Sequence, residues 1–353
     1  MNKTIAYPLS MYNVEVISFV SMLKDISIEG VVSTELRPQE VYSITSLEMF
    51  TDFQSALPTM GTLVLLPLPR EANLDTIIAN VKMALEAHVQ VKSLHCFSDS
   101  DYTKIVTNCD STLFTMLYEK QAFPDIKQSY SRLIHKLNTP LVVITELSVD
   151  CELPTIELAI RERLLKNGYK VSQIGSTQHC GVFGLHPFPQ FMYSTDVTES
   201  EKVYQFNFFV KEIEVSEQPD IFLLSVPAPL CPYDNKFTLD FGILPFLVSQ
   251  AIVSDYSIVS LNYGEYNKEF IDNFNLVMEH RFNFLPDSFL MSCILMDYSD
   301  VDSSGNVRQY SFNSQKVDDA IKNSYGSIAN IHSSVDMDNV VSKMIDVLAE
   351  NCV

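Results

Sequence analysis

One run of the chain, Pro140–Thr177, limits its fold more than any other. Leu141-Val142-Val143-Ile144-Thr145 is a short apolar segment of strand type, and a polar loop, Glu146–Leu153, follows it. A helix pattern runs from Pro154 to Asn167 and stops at Gly168. A second strand, Tyr169–Ile174, leads into Gly175-Ser176. Strand, loop, helix and strand in this order are the frame of a phosphate-binding βαβ unit. The loop, however, has neither the glycines that let backbone N–H groups converge on an anion nor the lysine that reaches terminal phosphates.

The same alternation recurs along the chain. Thr4–Pro8, Ile28–Ser33, Gly61–Pro67 and Val91–Cys96 read as strands. Helix patterns fall at Val14–Lys24, at Ser43–Leu57 and from Asn73 to about His88. After Thr177, further strands are expected at Ile221–Val226, Asp255–Leu261 and Asp287–Met296. Helices are expected at Glu199–Ile213, Asp240–Ala251, from Tyr266 to about Arg281, at Ser314–Asn323 and at Asp336–Glu350. Apolar strands alternating with helices predict parallel, doubly wound sheets. The expected fold class is therefore α/β with two such domains. A Rossmann- or flavodoxin-like domain covers 1–108, and a P-loop-NTPase-like domain covers 139–353. Between them Asp110–Leu137 reads as a mostly helical connector, 109–138. Leu9-Ser10-Met11-Tyr12 follows the first strand where a dinucleotide fold needs glycines, so no nucleotide site is expected there.

Composition narrows the function. The net charge of −20, without a Lys/Arg cluster, argues against nucleic acid and against an acidic membrane surface. It serves solubility, or receives a cationic partner or metal. Seven cysteines without CxxC pairing fit reduced thiols. A strand beginning almost at Met1, and the lack of any apolar run of the ~20 residues that span a bilayer, point to the cytoplasm.

Four groups of residues are candidates for chemistry or binding. Glu146, Asp150 and Glu152, with Cys151, crowd the mouth of the helix after the first strand of the second half. Carboxylates there repel phosphate and suit helix capping. ATP with magnesium is accordingly disfavoured as a cofactor. Ser176 ends the next strand, and His179, Cys180 and His186 follow among Gly- and Pro-rich turns. Imidazole and thiolate are zinc ligands, and a Cys–His pair can be nucleophilic. Their spacing matches no zinc motif and adjacent side chains diverge, so packing remains the simpler reading and no metal set is assigned. Asp234 and Asp240, after the apolar strand Ile221–Val226, stand in for a missing magnesium-holding residue or are plain loop residues. Tyr263, in the Tyr-rich turn Tyr256–Tyr266, suits a peptide contact or ordinary packing. Each of these loops follows a strand, and in a parallel sheet such loops line the edge where ligands bind.

Several short motifs of the second half resemble one family. They are Val171–Ser176, Phe183–Pro189, Phe206-Asn207, Pro219-Asp220 and Phe241–Leu244. The pattern is similar to clostridial peptide maturation system proteins, which accompany ribosomally made, post-translationally modified peptides. The resemblance covers about 140–300 well and the first 110 residues loosely. It implies a degenerate P-loop-like C-terminal domain and an accessory role, with a precursor peptide, a partner maturation enzyme, or both, bound at the strand-end loops. It assigns no catalytic residue. An ATP- or GTP-dependent peptide-modifying enzyme is the alternative. Homo- and hetero-oligomers both stay open.

Overall fold

The computed structural model describes residues 2–33, 45–69, 72–117, 132–299 and 307–351. The chain divides into two units, Met1–Ala122 with Gln178–Gly184, and Phe123–Thr177 with Leu185–Val353. Both are built on parallel sheets flanked by helices, as the alternation of strands and helices predicts.

In the first unit six strands pair in parallel: β1 (Lys3–Tyr7), β2 (Gly30–Val32), β3 (Glu48–Phe50), β4 (Met60–Leu65), β5 (Gln90–Ser93) and β6 (Phe114–Met116). Their order, β3-β2-β1-β4-β5-β6, is that of dinucleotide-binding sheets. The order reverses between β1 and β4, where such sheets bind ligand. Here Asn13 spans that crevice. Its Nδ2 donates to the carbonyls of Pro8 (2.9 Å) and Pro67 (2.8 Å), while its Oδ1 accepts from the Ser10 N–H at 3.0 Å.

Three expectations change in this unit. The helix expected over Val14–Lys24 is one turn, Val14–Ser18, followed by a 3₁₀ turn, Val20–Met22. Asn13 precedes it but spends its side chain on the two carbonyls instead of capping, and the β-branched residues at 14, 16, 17 and 20 give little helix propensity. The expected helix at Ser43–Leu57 is instead β3 plus the single turn Phe53–Ala56, which Asp52 caps through the Ser55 N–H at 2.8 Å; residues 43–44 lie outside the described residues. The helical reading of 110–137 fails at its start, because Phe114–Met116 pairs with β5; residues 118–131 lie outside the described residues.

The second unit carries a seven-stranded parallel sheet. Its strands are β7 (Leu141–Glu146), β8 (Val171–Gly175), β9 (His186–Pro187), β10 (Ile221–Pro229), β11 (Tyr256–Leu261), β12 (Ser288–Met291) and β15 (Ile328–Asn330). They run in the order β15-β12-β11-β7-β10-β8-β9. Strand β7 is central and buried on both faces. Leu141 and Val143 pack with Phe206, Phe222 and Val248, and Val142 and Ile144, pointing the other way, are also fully buried. Each such side chain contributes about 1.5–3 kcal/mol.

One device recurs at the starting edge of this sheet. Asp220, Asp255 and Asp287 each stand just before a strand, and each accepts the N–H of a residue at the start of the neighbouring strand: Lys170, Leu141 and Ser257, all at 2.8 Å. Each Asp backbone N–H also donates to that same residue's carbonyl.

The single strand expected over Asp287–Met296 is two. β12 ends at Met291, and β13 (Ile294–Asp297) turns away to pair antiparallel with β14 (Arg308–Ser311). The break falls at Ser292-Cys293, whose hydroxyl and N–H both donate to the Glu152 carboxylate. β15 has no counterpart among the expected strands.

Candidate functional site

The ends of β7, β10, β11, β12 and β15 meet on one edge of the second sheet, and the loop after β7 is its centre. This loop turns without glycine. Asp150 and Glu152 take the left-handed conformation, with φ of +56° and +57°. An L-residue there costs about 1–2 kcal/mol. The cost is offset by the bonds that hold the loop. The Leu147 N–H donates to the Ser260 carbonyl at 2.8 Å, Ser260 Oγ donates to the Cys151 carbonyl at 2.7 Å, and Asn262 Nδ2 donates to the Val149 carbonyl at 3.1 Å.

Two carboxylates of the loop behave oppositely. Glu146 is buried at the end of β7, and its Oε2 accepts the Cys151 N–H at 3.2 Å. Burial pushes its carboxyl up to about 8; the Cys151 N–H opposes the shift and the charge of Asp150 adds to it. Burial also holds the Cys151 thiol well above its ordinary value. Both groups are thus biased toward their protonated, uncharged forms.

Glu152, at the entry of the helix Leu153–Lys166, is held in its ionised form. Burial alone would raise its carboxyl, but His332, Ser292 and the Cys293 N–H together bring it below its ordinary value. Its Oε2 accepts from Ser292 Oγ at 2.7 Å and from the Cys293 N–H at 2.8 Å, and its Oε1 lies 3.1 Å from His332 Nε2. The imidazole is driven the other way. Burial lowers it, but Cys293 and Glu152 outweigh that and push it up to about 10. One donor atom each from Glu152, Cys293 and His332 lies within 4.8 Å of the other two.

Beside the loop lies a cavity of about 420 Å³. Leu147 and Ser148 line it after β7, Cys231 and Tyr233 after β10, and Tyr263 and Tyr266 after β11. Phe270 and Phe274 of the helix Lys268–Val277 and Met296 of β13 close its apolar wall. Tyr263 stacks on Phe312, with ring centroids 4.0 Å apart, and Tyr266 donates its hydroxyl to the Asn262 carbonyl at 2.9 Å. Both rings are therefore fixed before any ligand arrives.

The residues singled out from sequence divide accordingly. Glu146, Asp150, Cys151 and Glu152 share the β7 loop, and Tyr263 lines the cavity. Asp234 follows Tyr233 and accepts the N–H groups of Lys236 (2.7 Å) and Phe237 (2.6 Å), shaping a turn. Asp240 takes a left-handed backbone in the turn ahead of the helix Ile243–Ala251. Ser176 gives its N–H and hydroxyl to buried Glu157, at 2.9 and 3.2 Å. His179 and Cys180 fall in one unit and His186 in the other. His179 belongs to the first unit, where its Nε2 lies 3.1 Å from Glu15, and Cys180 is buried there. His186 sits on β9 of the second unit, 2.6 Å from Glu217. Sequence reasoning missed Cys293 and His332. A Cys and a His each two residues beyond a strand end are the available signal, but β15 is too short to stand out in the sequence and the apolar run of β12 continues into β13.

No protein-family model matches the chain, and no curated protein matches it. Among solved structures, a DUF1611 family protein from Anabaena variabilis ATCC 29413 superposes with a TM-score of 0.59 at 10% identity, over 99% of this chain and 100% of that one. The fold is similar to that of this DUF1611 family protein. At such identity the likeness concerns the fold alone. A pseudomurein peptide ligase type C from Methanothermus fervidus aligns over 82% of this chain and 44% of that chain, with a TM-score of 0.27 and 9% identity, too low to bear on the fold. Among the described residues, no helix is long and apolar enough to cross a membrane.

Proposed function

We propose that this chain is a binding protein that takes a peptide segment into the aromatic cavity at the end of β10 and β11, as an accessory of the maturation of a ribosomally made, modified peptide. The observation that carries the reading is the cavity itself. Its volume of about 420 Å³ suits one or two apolar side chains, its rings are pre-ordered, and polar groups such as Asn262 and Ser148 stand at its wall. The net charge of −20 favours a peptide with basic flanks. The resemblance of the motifs in the second half to clostridial peptide maturation proteins supplies the pathway, and with it a cytoplasmic setting. Titration of the full chain with a peptide that carries an aromatic or aliphatic residue between basic flanks tests the reading. Binding at micromolar concentration is expected, weakened at least about tenfold in Tyr263→Ala by loss of a stacked ring. No heat at such concentrations removes it.

The second reading, an ATP- or GTP-dependent peptide-modifying enzyme, has one observation in its favour: the left-handed residues Asp150 and Glu152 before the helix, a backbone that phosphate loops form with glycine. Against it, their side chains are carboxylates, and the Cys151 N–H is already bound to Glu146. Calorimetry with ATP and magnesium decides between the two; nucleotide binding at micromolar concentration would favour the enzyme.

A further inference from the structure

We propose that Glu152, Cys293 and His332 form a site for one zinc ion, with three protein ligands and a fourth position open to solvent or a ligand. The three come from different parts of the second unit: the β7 loop, the break between β12 and β13, and the residues beyond β15. A carboxylate oxygen, a thiolate sulfur and an imidazole nitrogen make a ligand set that favours zinc over magnesium or calcium, which take oxygen alone. Zinc–ligand bonds of about 2.0–2.3 Å in a tetrahedron put donor atoms about 3.3–3.8 Å apart. The three donors here lie within 4.8 Å of one another, and Glu152 Oε1 is 3.1 Å from His332 Nε2, so an ion enters with small side-chain rotations.

The surroundings are those of a built site. Ligands of a metal are held by outer hydrogen bonds, and that is the case for the side chains of Glu152 and Cys293. Glu152 Oε2 is taken by Ser292 and by the Cys293 N–H, which turns Oε1 toward the imidazole. The left-handed backbone of Glu152 aims the carboxylate back across the sheet edge, at a cost that helix entry alone does not require. Cys293 Sγ lies 3.4 Å from Ser311 Oγ of β14. The His332 backbone N–H donates to Asn330 Oδ1 at 2.9 Å, which anchors the main chain that carries the ring, and Asn330 is itself fully buried and tied to Ser314 and Asp318. Both Glu152 oxygens face one nitrogen of His332, Nε2, at 3.1 and 3.3 Å. Cys293 is buried while His332 is about one-third exposed, which gives the ion a path in and leaves the open position toward solvent.

This site does not depend on the peptide reading, and its test is separate. Full-length protein made without a histidine tag is stripped with a chelator and titrated with zinc against a chromophoric competitor, then with cobalt. One zinc per chain is expected. Cobalt should give visible bands of tetrahedral strength and a thiolate-to-cobalt charge-transfer band. Cys293→Ser should lose the charge-transfer band. His332→Ala should weaken zinc by more than the about 10–100-fold that outer-shell partners carry. Ser292→Ala should weaken it within that range and keep the band. Less than one zinc per chain at micromolar metal, or binding unchanged in His332→Ala, overturns the proposal. If Cys293→Ser fails to fold, the His332→Ala titration decides.

Discussion

Glu152 Oε1 and His332 Nε2 lie 3.1 Å apart although 180 residues separate them in the chain. The contact ties the loop after the central strand β7 to the residues beyond the edge strand β15. It also sets two stability terms against each other at one residue. The Glu152 side chain gains bonds to Ser292, Cys293 and His332, while its backbone is strained at φ +57°.

Glu152→Ala therefore loses the bonds and keeps the strain, and Glu152→Gly loses both. Removing one member of a fully buried pair costs about 3–5 kcal/mol. His332 is 37% exposed, so about 2 kcal/mol is expected for Glu152→Ala. Glu152→Gly is expected to be about 1 kcal/mol milder, since glycine takes this backbone freely. Urea unfolding of both variants at neutral pH measures the difference. Equal midpoints would show that the backbone stores no strain there.

Glu146 gives the chain a pH dependence of defined sign. Its folded value, about 8, lies above the ordinary 4.5. Between these values the unfolded chain has released the proton and the folded chain has kept it. Stability from this group is thus unaffected below about pH 4.5 and falls as pH rises to about 8, by at most about 1.4 kcal/mol per pH unit. Glu146→Gln, which keeps an acceptor for the Cys151 N–H, lacks this loss. Thermal melts at pH 5 and pH 8 should show the variant close to wild type at the lower pH and clearly more stable at the higher. A constant gap would mean that Glu146 is ionised in the folded chain.

The parts of this fold legible in the sequence are those that depend on local pattern. β7, the helix after it and its stop at Gly168 follow from a buried apolar run, helical spacing and a glycine at φ +86°. The place of the loop Glu146–Leu153, at the end of a central parallel strand, is legible in the same way. What was not legible depends on distant partners. Glu152 is of a residue type that suits a helix cap or a binding edge, but its side chain makes no cap bond and reaches Ser292 and Cys293, just beyond β12, instead. That reach ends β12 at Met291 and divides one apparent strand into two. His179 and His186, seven residues apart and read together, go to different units, because the chain enters the first unit for Gln178–Gly184 only.

Two left-handed glycines should respond differently to the same change. Gly168, just past the helix Leu153–Lys166, has φ +86° and nothing within 4 Å of an added Cβ. Gly168→Ala should cost only the backbone term, about 1–2 kcal/mol. Gly242 has φ +67°, and its Cβ would stand 2.3 Å from the Leu230 carbonyl oxygen at the end of β10. Gly242→Ala adds an overpacking term of about 1–3 kcal/mol. At about 2–4 °C per kcal/mol in a domain of this size, calorimetric melting separates the two. Equal shifts would mean that the β10 end yields freely.

The Asp residues before the strands predict a cost that their exposure alone would not. Asp255 Oδ2 accepts the Leu141 N–H at 2.8 Å, and the Asp255 N–H donates to the Leu141 carbonyl, so one residue closes both polar groups at the start of the central strand. A hydrogen bond to a charged acceptor is worth about 1.5–3 kcal/mol. Leu141 is fully buried, so water reaches its N–H poorly once the carboxylate is gone. Asp255→Ala should therefore lose stability at the upper end of that range. Asp220→Ala removes the same kind of bond from Lys170, whose surroundings are open, and should lose less. Asp255→Asn keeps an acceptor oxygen and should recover most of the loss. Amide hydrogen exchange at Leu141 reads the bond directly. Exchange that stays slow in Asp255→Ala would show that the sheet holds this N–H without the carboxylate.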